Sequence, residues 1–179
     1  LDGITDDVIF RNNTVWENQG MGINTHDADG TLIEGNLVHD NLVGNVYIHD
    51  ANHILCQRNL IYMAVGSSTY GEGSNWGILL GGETDLPTAN ITVINNLVYG
   101  NNFNLKWDNG PDDTGGMDVA LIANNTFVNG MPNSSGNANV DIGSGDHHNV
   151  RFTNNIIVQD DSTLIADIPD DPDVILSHN

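Results

Sequence analysis

Short apolar runs alternate with polar turns along this chain, and the same run ends repeatedly on an asparagine. With Asn13, Asn36, Asn59, Asn96, Asn125, Asn155 and Asn179 set at zero, position minus five reads Val8, Thr31, Ile54, Ile91, Ala120, Val150 and Val174. Position minus three reads Phe10, Ile33, Cys56, Val93, Ile122, Phe152 and Leu176, and plus two reads Val15, Val38, Ile61, Val98, Phe127 and Ile157. Apolar positions two apart describe short strands with one buried face, here two strands joined at a polar corner. A third strand follows in each repeat: Ile23-Asn24-Thr25, Val46-Tyr47-Ile48, Ile78-Leu79-Leu80, Leu105-Lys106-Trp107 and Val140-Asp141-Ile142. By parity, Asn24, Tyr47, Leu79, Lys106 and Asp141 face solvent while their neighbours line the interior.

The asparagines are 23, 23, 37, 29, 30 and 24 residues apart. A recurring unit with a basal period in the low twenties predicts a solenoid, and three strands per repeat predict an all-β, triangular parallel β-solenoid. About six coils at ~4.8 Å give a rod about 30 Å long, one domain over residues 1–179. Stacked asparagines form an Asn ladder, whose amides supply donors and acceptors to the coils above and below where the backbone leaves the strand pairing. Asn also tolerates the left-handed backbone that a corner requires. With 20 Asp, 4 Glu and 27 Asn, the composition suits turns and argues against helix.

The corner segments Asn12-Asn13-Thr14-Val15, Asn95-Asn96-Leu97-Val98, Asn124-Asn125-Thr126-Phe127 and Asn154-Asn155-Ile156-Ile157 resemble those of right-handed parallel β-helix proteins of the pectate-lyase-like superfamily. The resemblance covers almost the whole chain and implies a single-stranded right-handed β-helix. It implies no one reaction, because the superfamily holds lyases, hydrolases, epimerases, phage tailspikes and adhesins. It does imply that a catalytic or glycan groove lies on the sheet bordered by insertions. Those at Ala64 to Asn75, Gly110 to Gly116 and Met131 to Asn137 all border the third-strand sheet, and loops raised around a rigid sheet carry binding residues.

Charge narrows the partners. Lys and Arg total 4 against 24 acids, a formal charge of −20, so no cation cluster exists to bind nucleic acid. An anionic polysaccharide is disfavoured unless a bound cation screens the charge. No run of 18 apolar residues predicts membrane insertion, and the expected location is extracellular or at the cell surface. Cys56 is the only cysteine; it occupies an inward strand position and forms no intrachain disulfide.

Candidate chemistry gathers on the third-strand sheet. His26-Asp27-Ala28 and His49-Asp50-Ala51 hold equal places on adjacent coils, so two imidazoles and two carboxylates on one rim offer a divalent-ion site or an acid–base pair. A local turn preference accounts for the same residues. Asp108, Asp112, Asp113 and Asp118 surround the Gly110 to Gly116 loop, and Asp160, Asp161, Asp167, Asp170, Asp171 and Asp173 crowd the carboxyl end. Oxygen-rich loops suit Ca²⁺, although no fixed-spacing calcium loop is present. Lyases of the resembled superfamily pair Ca²⁺ with Lys or Arg; Arg11, Arg58 and Arg151 fall away from the groove sheet, leaving Lys106. Its hydrolases gather Asp carboxylates there, which Asp108 and Asp141 match in type, but their Gly-His-Gly and Arg-Ile-Lys signatures are missing. Tyr47, His49 and Asp50 match the residue types of its epimerases without their Asp-Pro-His-Glu run. Sugar binding without catalysis asks for aromatics and amides: Tyr47, Tyr70 and Trp76 with Asn24, Asn75, Asn104 and Asn139, beside Lys106 and Asp141. Trp107 alternates inward, into the core.

Two further features concern surfaces. Position minus four holds Ile9, Leu32, Leu55, Thr92, Leu121, Arg151 and Ile175, and plus one holds Thr14, Leu37, Leu60, Leu97, Thr126 and Ile156. Parity aims both columns outward, where they mark an interface; the expectation is that corner geometry turns part of them inward. Leu1-Asp2-Gly3-Ile4 and Asp173 to Asn179 both read as coils in progress, which predicts a segment of a longer secreted protein or an open-ended subunit that stacks. The expected role is an extracellular β-solenoid module, structural or glycan-binding. The alternatives are a carbohydrate-active enzyme with its groove on the third-strand sheet, and a fibre subunit associating end to end or laterally.

Overall fold

A computed structural model describes residues 5–69, 74–83, 88–108, 115–131, 138–143, 145–160 and 164–179. Within them no helix occurs, and every strand pair is parallel. The strands before the asparagines, including Ile9–Arg11, Leu32–Glu34, Asn52–Gln57, Thr88–Ile94, Met117–Ala123, His148–Thr153 and Val174–Ser177, form a first sheet. Thr14–Trp16, Leu37–His39, Leu60–Tyr62, Leu97–Tyr99, Thr126–Val128 and Ile156–Val158 form a second. The third holds Met21–His26, Gly44–His49, Trp76–Gly81, Leu105–Asp108, Ala138–Asp141 and Leu164–Asp167. In each sheet, equivalent strands of successive coils are neighbours, so the chain is a parallel β-helix with a triangular section.

The inward columns make one core. Ile33, Cys56, Val93, Ile122 and Phe152 stack in register and are fully buried, as are Val38, Ile61, Val98 and Phe127 of the second sheet. Cys56 is a core residue as expected, and burial pushes its thiol up to about 12. Trp107 is likewise in the core.

The Asn ladder is continuous. Each amide from Asn13 through Asn155 donates to the Oδ1 of the next ladder residue at 2.9 to 3.1 Å, and the same oxygen receives the backbone N–H of the residue below. The second amide proton goes to the carbonyl three residues before the preceding Asn, as from Asn59 to Ile33 at 3.0 Å. The left-handed backbone, however, falls one residue earlier than expected. Asn12, Gly35, Arg58, Asn95, Asn124, Asn154 and His178 carry φ between 55° and 64°, so the ladder residue supplies hydrogen bonds and its predecessor supplies the bend.

A second amide chain lines the corner between the second and third sheets. Asn18 donates to Asn41 at 2.8 Å, Asn41 to Asn45 at 2.8 Å, Asn45 to Asn101 at 2.8 Å, Asn101 to Asn104 at 2.9 Å and Asn104 to Asn139 at 2.7 Å. Asn75, Asn104 and Asn139, expected among the sugar-binding amides, are completely buried structural groups.

Candidate functional sites on the second and third sheets

On the third sheet the column Asn24, Tyr47, Leu79, Lys106 and Asp141 stands in register and points away from the core. The expectation that it faces solvent is corrected: Tyr47 is 5 % exposed, Leu79 is 1 % exposed, and the other three are half-buried. The cause is that long side chains lie along the sheet rather than standing off it. Tyr47 leans over Gly81, where an added Cβ would meet the phenol oxygen at 2.9 Å, and its hydroxyl donates to Glu83 Oε1. Lys106 lies back over the rings of Trp76 and Phe103, with Nζ 5.6 and 5.2 Å from their centroids, and reaches Asp108 at 3.4 Å. Leu79 lies between Tyr47 and Lys106 in the column. Tyr47 therefore has little aromatic face left for a sugar, and Lys106 lies over the ring of Trp76.

Asp141 pairs in register with Lys106 and with Asp167. Burial raises its carboxyl above the ordinary range, against the opposing pull of Lys106, and the charges of Asp167 and Asp108 add to the rise. The structure thus joins Lys106, Asp108 and Asp141 in one patch. Asp118 stands apart, exposed on the first sheet, and Asp112, Asp113 and Tyr70 lie outside the described residues.

One column over, His26 and His49 pair across adjacent strands. Their rings stack at 4.3 Å and 6° from parallel, and Tyr47 stacks on the other side of His49 at 4.0 Å. Asp27 and Asp50 follow with φ of 50° and 48°, so the turn preference is real and aims both carboxylates back at the histidines. Asp50 Oδ2 lies 3.6 Å from His26 Nε2 and 3.5 Å from His49 Nδ1, and Asp27 Oδ1 lies 3.7 Å from His26 Nε2. Asp50 Oδ1 accepts the backbone N–H of Glu83 at 3.0 Å, and the Asp50 N–H donates to Thr88 Oγ1 at 2.9 Å. Glu83, which the sequence reading missed, brings Oε2 within 3.9 Å of His49. Burial, reinforced by His26, lowers the pKa of His49 and favours its neutral form, and burial with the Glu83 contact raises that of Tyr47, which stays a donor.

Arg11 and Arg58 are engaged elsewhere. Glu34, on the first sheet, receives Arg11 at 2.8 Å, Arg58 at 3.1 Å and Gln57 at 2.7 Å. Of the aliphatic columns flanking the ladder, Ile9, Leu97, Leu121, Ile156 and Ile175 are exposed, while Leu32, Leu37, Leu55 and Leu60 are half-buried.

The second sheet carries a feature absent from the sequence reading. Three residues after each ladder Asn come Trp16, His39, Tyr62, Tyr99, Val128 and Val158, in register. The first four rings stack, with Tyr62 and Tyr99 4.9 Å apart and 6° from parallel. Stacking consumes ring faces, but Val128 carries no ring, so among the described residues only Tyr62 stacks on Tyr99, and Tyr99 borders a cleft of about 570 Å³. One wall is Met63, Ala64 and Val65, held by Asp40, which accepts the Ala64 N–H at 2.7 Å and whose carbonyl receives Thr69 Oγ1 at 2.7 Å. The opposite wall is Gly130 and Met131, fixed by Gln159, whose side-chain amide makes two 3.0 Å hydrogen bonds with Gly130. Asn129 and Asp160 add polar groups to the lining and bond to each other at 2.9 Å. The aromatic column at plus three was the signal in the sequence.

No curated protein and no solved structure matches the chain. Residues 2–127 match the family model described as right handed beta helix region, and the chain, whose later strands continue the same three sheets, belongs to that family.

Proposed function

We propose that this chain is an extracellular β-solenoid module that binds a neutral carbohydrate in the cleft beside Tyr99. The observation that carries the reading is that the aromatic stack ends at Tyr99, with Val128 next in the column, where Tyr99 lines the cleft. A pyranose ring presents a flat patch of C–H groups to such a face and hydroxyls to its surroundings, and a mostly apolar recess with a few polar groups suits that chemistry. The net charge of −20 selects against anionic sugars. The walls are tied to separate coils, so the recess is preformed and little ordering opposes binding. This reading puts the binding face on the second sheet rather than on the third, where Tyr47 is covered by its own neighbours and Lys106 lies over Trp76.

Titration calorimetry against neutral oligosaccharides tests this reading. Binding is expected for the intact chain and lost in Tyr99→Ala, with the circular dichroism spectrum unchanged. Retention of binding in Tyr99→Ala removes the cleft from consideration. A second reading, hydrolysis on the third sheet, is favoured by the grouping of Asp141, whose carboxyl burial raises, with Asp108 and Lys106, since two carboxyl groups in unlike environments are what an acid–base pair is built from. Glycan cleavage abolished by Asp141→Ala, with Tyr99→Ala still active, would establish that reading instead.

A further inference from the structure

We propose that His26, His49 and Asp50 bind a transition-metal ion of the Zn²⁺ class, with Asp27 or Glu83 completing the coordination. Three observations carry this. One potential ligand atom from each of His26, His49 and Asp50 lies within 4.8 Å of the other two. The separations from Asp50 Oδ2, 3.6 and 3.5 Å, exceed the 2.7 to 2.9 Å range of a charge-assisted hydrogen bond. They are close to the edge of about 3.3 to 3.5 Å that a tetrahedron with ~2.1 Å metal–ligand bonds requires. His39 closes on Asp40 at 2.7 Å and His53 on Asp29 at 2.8 Å, whereas the exposed His148 stays 3.6 Å from Asp146 and 3.5 Å from Asp173; what sets the His26–His49–Asp50 group apart is that its open contacts are buried.

The second observation is independent of the spacing. The His49 side chain is 6 % exposed, and its Nδ1 makes no hydrogen bond among the described residues. Asp27 Oδ1 is buried with the same deficit. A buried polar atom without a partner is costly, and a cation held between these groups satisfies it.

The third is how the donors are held. Asp50 is fixed by the Glu83 N–H and by its own N–H to Thr88, which supplies the outer hydrogen bonds that orient a ligating carboxylate. The imidazoles stack parallel to within 6°, so ligation of one ion by both requires a tilt of one ring about χ2. Two imidazoles select a borderline ion over Ca²⁺ or Mg²⁺, which take oxygen ligands. The bound ion would clamp the first two coils of the third sheet to the segment carrying Glu83. This inference is independent of the glycan reading, which concerns the second sheet.

The test uses the whole chain, stripped by a chelator and titrated calorimetrically with Zn²⁺ and, separately, Ca²⁺. One Zn²⁺ per chain and a Zn²⁺-dependent rise in melting temperature are expected, with no response to Ca²⁺. Co²⁺ is expected to give the intense visible absorption of a tetrahedral site, displaced by Zn²⁺. Stoichiometric binding is expected to vanish in His26→Ala, whose side chain is 26 % exposed and tolerates truncation better than His49 or Asp50, and to persist in His53→Ala. Absence of saturable Zn²⁺ binding in the intact chain overturns the proposal, as does undiminished binding in a folded His26→Ala.

Discussion

Replacing Asn96 with alanine tests the ladder most directly. Asn96 is 2 % exposed. Its Oδ1 accepts the Asn59 N–H at 3.0 Å and Asn59 Nδ2 at 2.9 Å, and its Nδ2 donates to Cys56 O and to Asn125 Oδ1, both at 3.0 Å. Alanine removes all four hydrogen bonds and strands two buried donors of Asn59, whose other amide proton is already committed to Ile33 O. At 1 to 3 kcal/mol per stranded group, less whatever water can enter, the expected loss is about 3 to 5 kcal/mol. That is a large share of the 5 to 15 kcal/mol typical of a domain. Asn13, exposed and donating to Asn36 with both its backbone N–H and its side chain, is the internal control: Asn13→Ala should cost about 1 kcal/mol or less. Equilibrium urea unfolding followed by far-UV circular dichroism measures both, and a midpoint shift at constant slope reports stability. Equal losses for the two variants would refute the view that buried amide satisfaction holds the corner.

Two further outcomes follow from backbone and burial. Val119 holds φ 58° while 47 % exposed, where a β-branched residue is strained; Val119→Asn should raise stability by about 1 kcal/mol, read as a higher urea midpoint. His147 is buried with its tautomer set by two contacts: the Met117 N–H donates to Nδ1 at 3.2 Å, and Nε2–H donates to the Gly143 carbonyl at 3.1 Å. Burial lowers its pKa below the ordinary 6.5. The unfolded chain therefore takes up the proton first as pH falls, so the stability His147 contributes is complete above about pH 6.5 and declines below it. His147→Gln should flatten that acid limb of the melting temperature against pH, and an unchanged limb would show that other groups set it.

The fold was legible because the repeat is written in the chain. Period-two columns at minus five, minus three and plus two become the inward faces of the first two sheets, and the asparagine column becomes the ladder, since in a solenoid equivalent positions are neighbours by construction. The sequence also assigned Cys56 and Trp107 to the core and placed His26 beside His49. It misjudged exposure on the third sheet, because parity gives the side of a strand and not what lies across it. Whether Tyr47 stands out or folds over Gly81 depends on a hydroxyl reaching Glu83 from 36 residues away. The second amide chain was hidden because its members, such as Asn45 and Asn101, are 56 residues apart and hold no single place in the repeat.

The chain by itself determined the coil, its three-strand rhythm and the residues that stack, since these follow from spacing alone. Only the tertiary structure decided which faces remain open and which donors converge. Tyr99 borders a recess because Val128 follows it in the column and segments from other coils wall it in. His26, His49 and Asp50 share a point because one corner turns their carboxylate inward. Such proximity is set by how successive coils pack and where insertions fold back, and that information is distributed over the whole molecule.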